Sequence, residues 1–217
     1  MPEQVVPAIT RITAIRHGET AWNAQTRLQG HLDIALNETG RQQALRTGAA
    51  LVGERIDAVI SSDLARAHET ARAVAAHHQL LVQTDSGFRE RGFGCFQGMT
   101  YAEIEAQMPE QARLWRKRDL HFSPEGGESL VVFRERIVRS LHRVASAHAG
   151  RHIVLVCHGG VLDILYREAT GLDLQAARTW QLGNASINRL LWNGETLSLV
   201  GWSDTRHLEG GLDEQHA

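Results

Sequence analysis

The chain has 217 residues, with 23 Lys and Arg against 25 Asp and Glu, for a formal net charge of −2. That length suits one α/β domain with a single large core. The balanced charge argues against nucleic acid or a membrane surface as partner, so any strong positive field must be local to a cleft. Two cysteines, Cys95 and Cys157, make no disulfide framework and point to a reducing compartment. The first nine residues lack a basic n-region and an apolar h-region, so they do not read as a signal peptide. No apolar run approaches the ~20 residues needed to cross a bilayer. A soluble cytoplasmic protein is expected.

In chain order, residues 1–9 read as a loose lead-in and 12–17 as the first strand. A polar, irregular stretch follows over 19–37. Asn37 or Thr39 can cap a helix to about 52, with Ala44, Leu45, Gly48 and Leu51 on one face. Residues 58–61 are a second strand. Ser62 then caps a helix through 78, with Asp63 in its first turn. Residues 81–84 are the third strand, followed by a glycine-rich segment over 87–98. Short helical patterns cover 101–107 and 110–118, a lid-like insertion over 100–124. Ser129 can cap a long helix to about 148. The fourth strand covers 152–157, and a helix follows over 161–168. Residues 187–192 and 197–202 form a hairpin across Asn193-Gly194, a type I′ signal. The tail over 206–217 is acidic, Gly-rich and expected to be mobile. Alternating strands and helices predict a three-layer α/β domain over 1–217. Its sheet is mostly parallel, with an antiparallel edge strand and helices on both faces.

Two strands each run into His-Gly, at His17-Gly18 and His158-Gly159. In an open α/β sheet, ligands bind beyond the carboxyl ends of the strands. Parallel pairing would put both histidines on one rim. Arg16 ends the first strand, where an unpaired buried charge is costly and needs an anion. Phosphate suits a guanidinium fork, and an ion pair with Glu19 is the plainer alternative. Arg66 lies in the first turn of the next helix, on the same rim, where helix N-termini also attract anions. Glu90 follows the third strand. It can serve as a general acid and base, or pair with Arg89 or Arg91. No P-loop pattern and no Asp-rich metal site is present. Zinc on His17, His31 and His158 is a weaker alternative, so no metal or other cofactor is expected.

The segment Arg16-His17-Gly18-Glu19-Thr20, with Trp22-Asn23, resembles the signature of the histidine phosphatase superfamily. The resemblance continues through Arg27-Leu28-Gln29-Gly30, Leu36-Asn37-Glu38-Thr39-Gly40 and Ser61-Ser62-Asp63-Leu64-Ala65-Arg66-Ala67. It then takes in Glu90, Phe93-Gly94, Gln97-Gly98, Gly126-Gly127-Glu128-Ser129 and Val156-Cys157-His158-Gly159-Gly160. It spans about 11–202 in the expected order. One RHG triplet is weak evidence; six motifs in order are strong. The resemblance implies that His17 is a phosphorylated nucleophile and Glu90 the proton donor and later base. It implies that Arg16, Arg66 and His158 hold the phosphoryl oxygens. Asn23 would line the phosphate pocket, Gln29 and Gly30 would lie near the substrate, and the Gly159 amide would add a contact.

Within that superfamily, the compact interval from Glu90 to Glu128 resembles the phosphatase branch. A phosphomonoester hydrolase acting on a small phosphorylated metabolite is therefore expected, and a homodimer is compatible with it. A phosphoglycerate mutase, with 2,3-bisphosphoglycerate as cofactor, is the runner-up. The cluster Arg113, Arg116, Lys117 and Arg118 either binds a second anionic group or is mostly a solvated helix face. A non-catalytic phospho-ligand binding protein is the third reading, and the intact set of five site residues argues against it.

Overall fold

The structure is a computed structural model and describes residues 8–209. Its strands are β1 (Thr10–Arg16), β2 (Ala58–Ser61), β3 (Val82–Thr84), β4 (His152–Cys157), β5 (Ile187–Trp192) and β6 (Leu197–Asp204). Its helices are α1 (Ala21–Ala24), α2 (Glu38–Ala50), α3 (Ala65–His78), α4 (Tyr101–Gln107), α5 (Pro109–Arg116), α6 (Leu130–Ala147) and α7 (Gly159–Thr170), with three short 3-10 turns. One sheet has the order β3-β2-β4-β1-β5-β6. The first four strands in chain order run parallel; β5 is antiparallel to β1, and β6 to β5. This is the expected mixed sheet.

Strand alternation sorts the core into two layers. Ile12 and Ala14 of β1, Ile60 of β2 and Ile153 and Leu155 of β4 meet Phe133, Ile137 and Leu141 of α6 and Val161, Leu162 and Leu165 of α7. Ile15, Val59, Val154 and Val156 point the other way, onto Ala67, Ala71 and Val74 of α3 and onto Leu51. A third, smaller cluster joins Leu28, Phe96, Ile104 and Ala112, with Met99, Trp115 and Phe122 packed on it. It seats α4 and α5 above the carboxyl end of the sheet.

Several sequence expectations are corrected. Ala44, Gly48 and Leu51 of the expected face are buried, but Leu45 is 56% exposed, and Gly40 and Thr47 complete the buried face in its place. Helix α3 begins at Ala65, and extended Leu64 takes the cap position without a side-chain bond. Asp63 is therefore outside the helix and pairs with Arg89 at 2.6 Å. The Ala65 amide is met from another loop by Asp33, at 2.7 Å. Leu81 lies outside β3 and is highly exposed. The second insertion helix ends at Arg116, and α7 is longer than expected at both ends. The hairpin is not type I′, because Trp192 pairs with Leu197 across four residues and only Gly194 has positive φ there. The Asn193 carboxamide oxygen makes the turn by accepting from the amides of Glu195 and Thr196. The predicted loose ends fall largely outside the described residues. Where described, 206–208 form a 3-10 turn held on α2, with Arg46 donating to Leu208 O.

One contact shapes the loop after β1. A Cβ on Gly40, inside α2, would lie 2.0 Å from Glu19 O, and one on Gly18 would lie 2.4 Å from Gly40 O. Backbone thus packs directly on backbone. In an open helix, Gly→Ala stabilises by ~1 kcal/mol. Here Gly40→Ala is expected to lower the urea midpoint, at a cost of ~1–3 kcal/mol from overpacking. A raised midpoint would show that the 18–19 segment can yield.

Candidate active site

The parallel register sets Arg16 beside Cys157. The ladder extends one step, because His17 N donates to Cys157 O at 3.0 Å. The two following residues, His17 and His158, therefore meet, with ring centroids 5.2 Å apart. A cleft of about 730 Å³ opens there, lined by Arg16, His17, Asn23, Gln29, Arg66, Glu90 and Gly159 among others. His158 is fully buried beside His17, and Gly30 contributes its carbonyl to Arg66.

Local bonding fixes each group. His17 Nδ1–H donates to Gly18 O at 2.7 Å, which leaves the lone pair on Nε2. Gly18 N in turn donates to Thr70 Oγ of α3. Arg66 is fully buried; its fork donates to Leu32 O and Gly30 O at 2.9 and 2.8 Å. Arg16 donates to Leu182 O. Glu19, the alternative partner for Arg16, instead accepts from Asn37. Asn23 caps α1 with Thr20, and Asn184 Nδ2 donates both to His17 O and to Asn23 Oδ1. Among the described residues, buried Arg16 Nε, Arg66 Nε, both His158 ring nitrogens and Gln29 Oε1 have no hydrogen-bond partner. The buried donors among them, Arg16 Nε, Arg66 Nε and the N–H of His158, are what an incoming anion would satisfy, whereas Gln29 Oε1 is an acceptor.

Glu90 enters from the opposite wall. Its carboxylate accepts from Arg91 N at 2.8 Å and from Gly160 N at 3.0 Å. It forms no ion pair with Arg89, which holds Asp63, or with the Arg91 guanidinium, which donates to Glu128 O and Phe122 O. Glycine at 160 leaves room for this carboxylate, since a Cβ there would lie 2.2 Å from Glu90 Oε1 and displace it. His31 Nε2 is committed to Glu90 O, and among the described residues no cluster of His, Cys, Asp or Glu could hold a metal.

The field in the cleft is cationic. Burial lowers the pKa of Arg16, with Glu90 opposing, and lowers that of Arg66 to about 10, which leaves Arg66 charged at neutral pH. Burial, then Arg66 and Arg16, push His17 well below its ordinary value. Burial, then Arg66 and His17, do the same to His158. Both imidazoles are neutral at pH 7. Toward the mouth, Arg91 is 7% exposed and stacks on Trp115 at 4.4 Å. Arg118 joins it, bound to Asp163 Oδ2 at 2.9 Å, and Arg178 lies nearby on the cleft wall. Arg113 and Arg116 pair with Glu110 and Glu105, and Lys117 is exposed. Of the basic cluster, Arg118 alone turns inward to an α7 carboxylate.

Sequence reasoning missed Thr70, Gly160, Asn184 and the 177–183 wall. The second glycine of His158-Gly159-Gly160 was a usable signal for Gly160. No spacing links Asn184 to His17.

A family model described as histidine phosphatase superfamily (branch 1) matches residues 12–205. The chain belongs to that superfamily. It is similar to phosphoglycerate mutase-like protein 4 of Arabidopsis thaliana, 41% identical over 91% of this chain and 86% of the relative. It is 36% identical to a metal-independent phosphoserine phosphatase of Arabidopsis thaliana, over 94% and 86%. Among solved structures, mycobacterial glucosyl-3-phosphoglycerate phosphatase in complex with VO3 superposes with a TM-score of 0.77 at 34% identity, covering 90% of this chain and 99% of that one. These relatives mark a phosphatase or mutase-like enzyme.

The buried neutral imidazoles make stability pH-dependent. Their folded pKa values lie below the ordinary 6.5, so the unfolded chain protonates first as pH falls. Stability is full above about 6.5 and declines below it, by up to ~1.4 kcal/mol per pH unit for each site. Urea melts at pH 7.5 and 5.5 are expected to show this loss. The difference between the two pH values should shrink in His158→Gln, and an unchanged difference would mean that His158 takes up a proton within the fold.

Proposed function

We propose that the chain hydrolyses a phosphomonoester through a phosphohistidine on His17. The observation that carries this reading is the bond from His17 Nδ1–H to Gly18 O, which presents Nε2 as the nucleophile amid Arg16, Arg66 and His158. In the first step, Nε2 attacks phosphorus and the bond to the ester oxygen breaks. That oxygen keeps the electron pair and takes a proton from Glu90. In the second step, water attacks phosphorus while Glu90 accepts its proton. The P–N bond breaks, its pair returns to Nε2, and phosphate leaves. Charge on the transferring group is met by two guanidinium groups, a His158 N–H and the α7 N-terminus. With those cations in place, the chemistry needs no metal.

Arg91, Arg118 and Arg178 support a small metabolite whose leaving group carries its own anionic group. The phosphoserine and glucosyl-3-phosphoglycerate phosphatases among its relatives act on esters that carry a carboxylate. The same arginines favour a phosphoglycerate mutase as the second reading. Incubation with 3-phosphoglycerate, followed for both phosphate release and isomerisation, separates the two.

Turnover is expected to vanish in His17→Ala and to persist in EDTA. Alkaline denaturing quench of the wild type should trap a base-stable, acid-labile phosphoryl group on His17. Mass spectrometry placing that group elsewhere would sink the mechanism. Loss of activity in EDTA, restored by a divalent ion, would refute metal independence.

Glu90→Gln keeps shape and removes the acid. Single-turnover phosphorylation is expected to fall by ~10²–10⁴-fold on an alkyl phosphate. It should fall clearly less on p-nitrophenyl phosphate, whose phenolate leaves without help. Equal losses on both esters would remove Glu90 from the acid role.

A further inference from the structure

Glu90 sits on backbone with no regular secondary structure, between a 3-10 turn ending at Phe88 and a bridge at Phe93. Such a segment has no ladder to hold it, yet a general acid must be placed within a fraction of an ångström. One guanidinium holds most of it. Arg136 of α6, with a side chain 23% exposed, donates through Nη1 to Gly87 O and Arg89 O at 2.9 and 3.0 Å. Its Nη2 donates to Glu90 O at 3.1 Å and to Glu128 Oε2 at 2.7 Å, and its Nε donates to Glu128 Oε1 at 2.8 Å. Glu128 completes the grip. Its carboxylate accepts from Gly92 N at 2.7 Å, and its amide donates to Gly92 O at 2.8 Å. His31 adds a second donor to Glu90 O.

The carbonyls of residues 87, 89 and 90 thus converge on one planar fork, and Gly92 is clamped from the far side. Only arginine presents donors in that fixed geometry; lysine offers a single point charge. The pair is partly buried, and such pairs are often matched in stability by apolar residues of similar volume. What this pair supplies is position. Gly126-Gly127-Glu128-Ser129 carries no role in the phosphoryl steps, and this contact gives its glutamate one.

We propose that Arg136, with Glu128 as its counter-ion, is a positioning residue that sets the Glu90 carboxyl against the leaving oxygen. The inference rests on the acid role of Glu90 given above.

The test is a double-variant cycle of Arg136→Met and Glu90→Gln. Single-turnover phosphorylation of His17 is measured with 3-phosphoglycerate and with p-nitrophenyl phosphate. Arg136→Met is expected to slow the alkyl ester by ~10–10²-fold and the aryl ester clearly less. Added to Glu90→Gln, it should cost little more, because both remove one function. Inhibition by vanadate should stay within ~2-fold, since the phosphoryl pocket is untouched, and Arg136→Lys should not rescue the rate. If Arg136→Met fails to fold, Glu128→Gln is read in the same cycle, with a smaller loss of the same pattern. Equal losses on both esters, multiplicative losses in the double variant, or a parallel loss of vanadate affinity would each overturn the positioning role. A Glu90→Gln variant without leaving-group dependence would overturn the acid role and this inference together.

Discussion

The site depends on the parallel pairing of β1 with β4 in a register that ends at Arg16 and Cys157. The two histidines of the cleft are reached one residue beyond that pairing. His17 and His158 leave the ladder together, and each is followed at once by glycine. The glycines let backbone crowd where side chains could not. Gly18 presses on Gly40, and Gly160 passes under the Glu90 carboxylate. A slip of one residue between the strands would separate the imidazoles and turn one of them toward the opposite face.

Holding cations at that point runs against solvation. Arg66 has no exposed surface, and its fork is answered by carbonyls rather than a carboxylate. Arg16 is likewise tied to a carbonyl, that of Leu182. Carbonyl dipoles orient the guanidinium groups without neutralising them. The charge thus stays available to an anion, and both histidines stay neutral beside it. Within hydrogen-bond reach, the carboxylate of Glu90 is occupied by two amides rather than by an arginine, which keeps the acid distinct from the cation set.

How much of this was legible depends on the length scale of each signal. The β-branched runs ending in His-Gly report a local preference and a chain direction, and they located β1, β4 and both histidines. Asn37 and Ser129 announced their helices because capping is a matter of three residues. Ser62 misled, since the start of α3 is settled by Asp33, which reaches Ala65 from 32 positions earlier. Glu90 was visible as a residue, but its local arginines suggested the wrong partners; Asp63 and Phe122 draw them away. The turn at Asn193 followed its own carboxamide rather than the dipeptide pattern. Asn184, Thr70 and Arg136 reach His17, Gly18 and the Glu90 segment through contacts distant in sequence, and no periodicity encodes those.

The pairing of β1 with β4 also sets when the centre comes into being. Thr13 and His152 share a hydrogen bond across 139 positions, and β1 has no sheet neighbour earlier in the chain than β4. Closing so long a loop is entropically costly and slow compared with local helix formation. During synthesis, His17 emerges some 140 residues before the histidine that comes to lie beside it. At translation rates of ~5–20 residues per second, that interval is on the order of ten seconds. Until then β1 lacks both strands that flank it in the sheet. Arg16, His17 and His158 are gathered in one late event, when the middle of the sheet closes.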